Sequence, residues 1–241
     1  MKYAIISDLH ANLEALTTVL KVIEDIRVDR IICLGDVVGY NASPNECIDI
    51  VREREIPTIC GNHDAVACGI EEPWGFNPVA LSAALWTRES LTPDNLNWLK
   101  ELPDATQFDS FLAVHGAPAD RDTYLFSWED ILPHVPYVEE RKCDLCFFGH
   151  THCPGIFSTD GMYTVDDNSK FALGDQKLFF VNPGSVGQPR DCDPRASFGL
   201  LDSEEREFEL VRMDYPIEQA AARIIEAGLP PFLAERLKRG R

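Results

Sequence analysis

The sequence is short of positive charge. Its 22 lysine and arginine residues face 40 aspartate and glutamate residues, which gives a formal net charge of −18. Such a chain is a poor candidate for nonspecific binding to duplex nucleic acid, because that binding depends on neutralising phosphates with lysine and arginine. An anionic substrate therefore needs a local cation. A metal ion could supply it, since aspartate and histidine are residues that bind metals.

Long apolar segments are also missing. The opening residues reach Asp8 and His10 after an apolar run that is too short for a signal peptide or a membrane span. We find no internal repeat, low-complexity tract or linker in the 241 residues. We therefore expect one cytoplasmic domain over residues 1–241, away from the membrane. The 45% apolar content is enough for an ordinary hydrophobic core.

A structural zinc site is poorly supported. The segment CDLCFFGHTHC (143–153) has one C-x-x-C spacing, but the chain has no second C-x-x-C and no H-x-x-x-H partner. Cys143 and Cys146 begin an apolar strand, where residues three apart point to opposite faces and lie about 10 Å apart. We interpret the eight cysteines as buried free thiols. Cys153, beside two histidines, stays open as a redox-sensitive or soft-metal neighbour.

Strand and helix signals alternate along the first part of the chain. Asn12 is a good N-cap, and Ser43 to Glu46 predict a capping box with proline at the first helical position. This alternation predicts a parallel sheet with right-handed crossovers. Short apolar runs predict strands at 2–7, 30–36, 57–64 (with its exit loop), 111–116 and 145–150.

Other parts of the chain depart from this alternation. Residues 66–103 predict a loop and two helices, which we interpret as a helical insertion near the rim of the sheet. Beyond His152 the pattern predicts β-hairpins, one of them turning at Asp160, and the chain closes with helices near 216–239.

Metal-binding side chains follow the predicted strands. Because the carboxyl ends of strands in an open α/β sheet form the edge where ligands bind, these side chains should converge, although they lie about 25 to 50 residues apart in sequence. Carboxylates, an amide oxygen and imidazoles suit Mn, Fe, Zn or Ni, and seven ligands suit two ions that share a carboxylate. The residues at the strand ends are Asp8, His10, Asp36, Asn62, His63, His115, His150 and His152.

Each of these residues has an ordinary structural explanation when it is taken alone. Aspartate is common in turns, which would be the commoner role for Asp8 or Asp36 by itself. GNHD could be a turn with glycine at positive φ, and a strand-end histidine such as His115 is more often structural. A purely structural interpretation must explain five coincidences at one edge, so we favour a metal site. His134, between two prolines, is expected to be a partly exposed loop residue.

The order of the motifs resembles that of the calcineurin-like metallophosphoesterases, and most closely the small stand-alone bacterial and archaeal phosphoesterases. The resemblance extends across nearly the whole chain. It implies an α/β fold, a four-layer αββα sandwich with two mixed sheets. It also implies two divalent metal ions, Mn²⁺, Fe²⁺/Fe³⁺, Zn²⁺ or Ni²⁺. The motifs are DLH (8–10), GDVVG (35–39), GNHD (61–64), VHG (114–116) and GHTH (149–152), followed by VNPGSVGQPRD (181–191).

The resemblance also implies a role for each site residue. His63 would be the catalytic group that faces the substrate, oriented by Asp64. A hydroxide bridging the metals would attack phosphorus in line, and His63 would protonate or stabilise the leaving oxygen. One metal would be bound by Asp8, His10 and His152, the other by Asn62, His115 and His150, and Asp36 would bridge the two.

The substrate and the partners stay open. We expect a metal-dependent phosphoesterase for small or nucleotide-like substrates, with phosphodiesters weakly favoured over phosphomonoesters. Protein Ser/Thr phosphatase and dinucleoside polyphosphate hydrolase remain alternatives, because substrate choice would lie in the loops at 65–77 and 117–140. A non-catalytic scaffold on the same fold is disfavoured because His63 and every ligand are present. The oligomeric state is open.

A few loop residues are weaker candidates for substrate contacts. Arg190 is either a phosphate contact or a salt-bridging loop residue, and Arg195 and Asp193 nearby are equally uncertain. Arg121, Tyr124 and Trp74 are candidates by loop position alone.

Overall fold

Two β-sheets and the helices outside them make up the computed structural model, which describes residues 1–109, 111–174 and 177–241. The strands are β1 Lys2–Ile6, β2 Arg30–Cys33, β3 Ala105–Phe108, β4 Phe111–Val114, β5 Leu145–Phe147, β6 Gly155–Ser158, β7 Gly161–Tyr163, β8 Lys170–Ala172, β9 Phe179–Asn182, β10 Ala196–Asp202 and β11 Glu207–Met213. The helices are α1 Leu13–Ile26, α2 Pro44–Glu53, α3 Asn62–Cys68, α4 Pro78–Ser90, α5 Pro93–Lys100, α6 Trp128–Ile131, α7 Val135–Glu140, α8 Ile217–Glu226 and α9 Pro231–Leu237, with a 3₁₀ turn at Leu132–His134.

Both sheets are mixed, as the resemblance implied. The first has the order β2-β1-β10-β11-β8, in which only β1 and β2 are parallel. The second has the order β3-β4-β5-β9-β6-β7, in which β4, β5 and β9 are parallel. The parallel pairing predicted from the alternation is found between β1 and β2, whereas the later hairpin strands add antiparallel pairs to both sheets.

Side-chain alternation along the strands produces the layers. In β1, Tyr3 and Ile5 point into the core between the sheets, whereas Ala4 and Ile6 point to the helices outside. Phe147 and Phe208 meet across the central core with ring centroids 6.0 Å apart. A third cluster covers the outer face of the second sheet under α6 and α7. The arrangement is the four-layer αββα sandwich.

The third predicted strand is not formed. Thr58 makes only an isolated bridge with Cys33, and the chain enters α3 at Asn62 instead of an exit loop. The cause lies in the residues that follow, because the Asp64 carboxylate accepts the Gly61 N–H at 3.0 Å and closes a first helical turn. Strands β3 and β8 were missed, because their short sequences, ATQF and KFA, lack an apolar run.

The helix-start predictions had mixed outcomes. Asn12 caps α1, since its Oδ1 accepts the Ala15 N–H at 3.1 Å. Helix α2 begins at Pro44, but the Ser43 side chain makes no capping hydrogen bond, so the predicted capping box is wrong. Residues 66–103 contain the two predicted helices, α4 and α5, and both pack against α3.

The lengths of the helices, the exposure of the cysteines and the place of His134 can be compared with the predictions from sequence. None of the helices in the described ranges is both long and apolar enough to span a membrane. All eight cysteines are free thiols; Cys153 is partly exposed and Cys192 is exposed, so the prediction of burial is wrong for these two. His134 is partly exposed, as expected, but it ends a 3₁₀ turn and not a loop.

Candidate metal centre

The predicted ligand side chains converge between the carboxyl ends of the two sheets. Asp36 belongs to both of two groups in which ligand atoms lie within 4.8 Å of one another. The ligand side chains follow β1 and β2 of the first sheet and β4 and β5 of the second. They therefore come from two sheets, and the expectation of a single sheet edge is wrong. The first group is Asp8, His10, Asp36 and His152, and the second is Asp36, His115 and His150.

Asp36 lies at the junction of the two groups. Its Oδ1 accepts the backbone N–H of His63 at 2.9 Å, which fixes the carboxylate. Its Oδ2 is buried, lies 3.4 Å from Nε2 of both His10 and His115, and has no hydrogen-bond partner in the described part of the chain. Burial alone would raise the pKa of Asp36, but the surrounding imidazoles hold it well below its usual range. An ionised oxygen that accepts no hydrogen bond in the described structure therefore faces both groups.

His10 and His152 are arranged to receive a cation. Nδ1 of His10 donates to the Val38 carbonyl at 3.0 Å, and Nδ1 of His152 donates to the Gln188 carbonyl at 2.5 Å. Carbonyls only accept, so both Nε2 atoms carry lone pairs, and these two atoms lie 3.1 Å apart. Burial lowers the pKa of both imidazoles well below its usual range. Two facing lone pairs repel each other, and a cation between them removes the repulsion.

Asp8 completes the first group. Its Oδ1 lies 3.3 Å from Nε2 of His152, and its carboxylate accepts the Ser7 hydroxyl at 2.6 Å and the backbone N–H of His150 at 3.2 Å. Burial, helped by the charge of Asp36, raises the pKa of Asp8 to about 6. A bound cation would keep this carboxylate ionised at neutral pH.

His115 begins the second group. Its Nδ1 donates to the Leu34 carbonyl at 2.8 Å, and its Nε2 lies 3.3 Å from the amide oxygen of Asn62. Burial opposes protonation of His115, but the Asp36 carboxylate outweighs burial and raises the pKa of His115 to about 9. A proton on Nε2 of His115 therefore offsets the negative charge of the Asp36 carboxylate. A metal ion bound at the same position would offset that charge in the same way.

His150 faces the second group with its other ring nitrogen. Its Nε2 donates to the Asp122 carbonyl at 3.1 Å, which leaves the lone pair on Nδ1. Burial and the charge of His115 lower the pKa of His150 to about 3. The neutral imidazole is the form that binds metals. The Asp36 Oδ2, the facing lone pairs and the N/O donor set all fit two divalent ions.

The backbone at the site is unusual. Five site residues have φ in the left-handed region, which non-glycine residues seldom adopt and which costs roughly 1 kcal/mol or more each. Gly61 permits the close approach between α3 and Asp36, because a Cβ at Gly61 would collide with the Asp36 carboxylate. The left-handed residues are Asp8 (φ 52°), His10 (47°), Asp36 (51°), His150 (63°) and His152 (58°).

His63 lies beside the ligand groups, but outside them. Its ring packs against Tyr40 and Phe76, with centroids 4.3 and 4.6 Å away, and its Nδ1 is buried with no hydrogen-bond partner among the described residues. Burial lowers its pKa to about 4. The Asp64 carboxylate accepts the backbone N–H groups of Val38 and Gly61 at 3.1 and 3.0 Å, so any orientation of His63 by Asp64 acts through the backbone of α3. Asp64 fixes the start of α3.

The arginine candidates separate into two kinds. Arg190 lies at the site, where its Nη2 donates to the Tyr40 hydroxyl at 3.2 Å. Arg195 forms ion pairs with Asp167 and Asp193, both at 2.6 Å. The candidates Arg195 and Asp193 therefore belong to a salt-bridge network. Arg121 pairs with Asp104 and with Glu71.

An aromatic cleft opens beside His63. Tyr124 packs on His150 with ring centroids 4.0 Å apart, and Trp74 lines the same cavity of about 170 Å³. Tyr40 and Phe76 also line it and were missed, although Tyr40 directly follows the GDVVG motif. The contact of Phe76 with His63 had no sequence signal, because it is made across a loop.

The cysteines of CDLCFFGHTHC take no part in either group. Cys143 and Cys146 are buried in the cluster outside the second sheet, whereas His150 and His152 reach different groups. A zinc knuckle is therefore not formed by this segment. Burial raises the pKa of the Cys153 thiol to about 11, which keeps it neutral beside the site.

Comparison with known proteins covers nearly the whole chain. The model of the calcineurin-like phosphoesterase superfamily domain matches residues 1–206, which include every ligand residue named above. An uncharacterized protein of Methanocaldococcus jannaschii is 37% identical over 244 residues, covering 99% of this chain and 98% of the relative. The crystal structure of a metallophosphoesterase from Sphaerobacter thermophilus is 35% identical, with a TM-score of 0.88 over 100% of this chain and 99% of that chain. A hypothetical protein from Pyrococcus horikoshii, 20% identical, shares the fold with a TM-score of 0.82, covering 100% and 98%.

Proposed function

Because the chain belongs to the calcineurin-like phosphoesterase superfamily, we propose that it is a dinuclear-metal-dependent phosphoesterase that hydrolyses small or nucleotide-like substrates. The observation that carries the proposal is the buried Oδ2 of Asp36, which accepts no hydrogen bond in the described structure and lies 3.4 Å from imidazole nitrogens of both ligand groups. A carboxylate oxygen in that position suits a bridge between two cations. The N/O donor set favours Mn²⁺, Fe²⁺/Fe³⁺, Zn²⁺ or Ni²⁺.

The two groups would divide the metal ions between them. When bound, the ions would supply positive charge for the phosphoryl group and activate a water nucleophile near neutral pH. The chain's own contribution is to hold these ligands with backbone hydrogen bonds, which fix the imidazole tautomers before any ion arrives. Asp8, His10 and His152 would hold one ion, Asn62, His115 and His150 the other, and Asp36 would contact both.

His63 would act on the leaving group. It is buried, neutral and held between Tyr40 and Phe76, with Nδ1 free of other partners in the described structure. Without substrate its pKa is about 4, so it would first act as a neutral hydrogen-bond donor. A nearby phosphate anion raises the pKa of an imidazole, which would allow His63 to carry a proton to the leaving oxygen.

The cleft supports a small substrate with a planar group. Trp74, Phe76 and Tyr124 line the cavity beside His63, and Tyr124 stacks on Phe126 with centroids 5.6 Å apart. Flat rings of this kind can stack on a nucleobase or another aromatic leaving group. This favours an ester with a bulky aromatic group, which a diester or an aromatic monoester can carry. A cytoplasmic location and the exclusion of duplex nucleic acid stay predictions, supported by the free thiols and the charge of −18.

The test is a direct assay of metal-stripped protein. Bis-p-nitrophenyl phosphate and p-nitrophenyl phosphate are incubated side by side with Mn²⁺, Ni²⁺, Zn²⁺ and Mg²⁺. We expect turnover with a transition metal and a higher kcat/KM for the diester. Absence of turnover with all four ions would contradict the enzymatic function, and faster turnover of the monoester would correct the type of ester.

A further inference from the structure

Two arginines flank the aromatic ring that packs on the metal centre. Tyr40 contacts His10 and His63, with ring centroids 4.7 and 4.3 Å away. The guanidinium carbon of Arg190 lies 5.5 Å from the Tyr40 centroid, and that of Arg236, in α9, lies 5.8 Å from it. Residues 190 and 236 are far apart in sequence, so the C-terminal helix brings a second cation to the site.

In the described part of the chain, neither arginine pairs with an acidic side chain. No aspartate or glutamate carboxylate of the described residues lies within 4.0 Å of Arg190 or Arg236. Of the other partly buried arginines, Arg212 pairs with Asp191, whereas Arg88 and Arg141 donate to backbone carbonyls. Arg190 and Arg236 are distinguished by bringing two cations to the same ring without an acidic side chain beside them in the described structure.

The existing hydrogen bonds leave donors of both guanidinium groups unused. Arg190 donates through Nη2 to Tyr40 and Gln188, but its buried Nε has no partner in the described structure. Arg236 donates through Nε to the Arg241 backbone oxygen. Burial and the charge of Arg190 lower the pKa of Arg236, which indicates that the two cations repel each other. An anion between them would relieve that repulsion and satisfy the free donors.

We propose that Arg190 and Arg236 form a second anion subsite beside the metal centre, and that it binds a second phosphoryl group of the substrate. The inference rests on the proposed function, since the first phosphoryl group would lie at the metals. Arginine suits this task because its planar fork binds phosphate through two parallel hydrogen bonds. The substrate class is thus a compound with two phosphoryl groups, of which nucleoside diphosphates are the simplest aromatic examples.

The experiment compares AMP and ADP as ligands of the metal-loaded protein. Their inhibition constants against bis-p-nitrophenyl phosphate and their dissociation constants from calorimetry are measured for wild type, Arg236→Leu, Arg236→Lys and Arg239→Leu. Arg239 is an exposed arginine of the same C-terminal segment and serves as the matched control. Chelation of metal by ADP affects all four proteins equally, and thermal melting checks that each variant is folded.

We expect wild type and Arg239→Leu to bind ADP about tenfold more tightly than AMP, the worth of one charge-assisted phosphate contact. Arg236→Leu should reduce this ratio towards one, and Arg236→Lys should restore part of it. Equal affinities for AMP and ADP in wild type, or an ADP preference that survives in Arg236→Leu, would overturn the subsite. Because calorimetry needs no turnover, a failed assay with an intact ADP preference would count against the proposed reaction and leave the subsite standing.

Discussion

The floor and the rim of the cleft are built in different ways. The floor is the set of seven proposed ligands, whose side chains are 0 to 6% exposed and are fixed by hydrogen bonds. The rim comprises Trp74, Phe76 and Tyr124, which line the cavity, together with Arg236, whose guanidinium carbon lies 5.8 Å from the centroid of Tyr40, another lining residue. Trp74 is 86% and Tyr124 44% exposed. The proposed metal binding requires particular residue types in the floor. The proposed substrate binding requires only aromatic rings and a cation in the rim. We therefore expect the floor to set the reaction and the rim to set the substrate.

The largest effect should come from the centre of the floor. Asp36→Asn replaces the ionised bridge by a neutral amide, so we expect bound metal to fall and kcat/KM for bis-p-nitrophenyl phosphate to drop by about a thousandfold, ~4 kcal/mol. Metal content by mass spectrometry and steady-state kinetics measure both quantities. Asp166→Asn is the matched control, because Asp166 is exposed. A metal-replete Asp36→Asn protein with the wild-type rate would remove the bridging assignment.

His63 lies where floor and rim meet. We expect His63→Gln to keep its metals but to lose about a hundredfold in kcat on an alkyl phosphodiester, a substrate with a poor leaving group. The loss should be smaller for p-nitrophenyl esters, whose leaving group needs less protonation. Parallel kinetics on the two substrates, with metal content measured, make the comparison. Equal losses on both substrates would argue that His63 positions the substrate and does not serve as an acid.

Burial of the floor also predicts a pH dependence of the metal-free protein. The pKa of His63 is lowered from 6.5 to about 4 on folding, so the unfolded chain takes up the proton first. Above pH 6.5 His63 is neutral in both states, and the free energy of unfolding is not reduced by its protonation. As the pH falls towards 4, the unfolded chain is protonated first and the free energy of unfolding decreases. Between pH 7.5 and pH 5, wild type should lose about 2 kcal/mol of unfolding free energy more than His63→Gln.

Urea denaturation with a chelator present measures this difference. His134→Gln is the control, since His134 is a partly exposed histidine that belongs to none of the floor motifs. An identical pH response of His63→Gln and wild type would mean that His63 is not held neutral in the folded state.

The rim should give the smallest effect. Trp74→Ala removes an exposed ring from the cleft, and we expect KM for bis-p-nitrophenyl phosphate to rise about fivefold, ~1 kcal/mol. Metal content and the thermal midpoint should stay as in wild type. Leu132→Ala is a control for loss of an exposed apolar side chain elsewhere. A fall in metal content in Trp74→Ala would show that floor and rim are not separable.

The same division decides what could be predicted from sequence. Asp8, His10 and His150 stand in short motifs directly after apolar strands, so local pattern was enough to bring them together. The start of α3 was mistaken for a strand exit, although its cap, the Gly61 N–H donated to Asp64, is local. The additional contact that holds Asp64, with the Val38 N–H, has no local signal in the sequence. Arg236 could not be predicted at all, since its position comes from packing of the C-terminal helix and not from any local motif.

The left-handed backbone at Asp8, His10, Asp36, His150 and His152 has a consequence for finding such sites. Non-glycine residues rarely adopt this conformation, and here five of them gather within one small volume. A search of main-chain torsion angles, blind to every side chain, would therefore single out this place in the molecule. Distant proteins whose motifs have changed beyond recognition could be compared by that torsional signature alone.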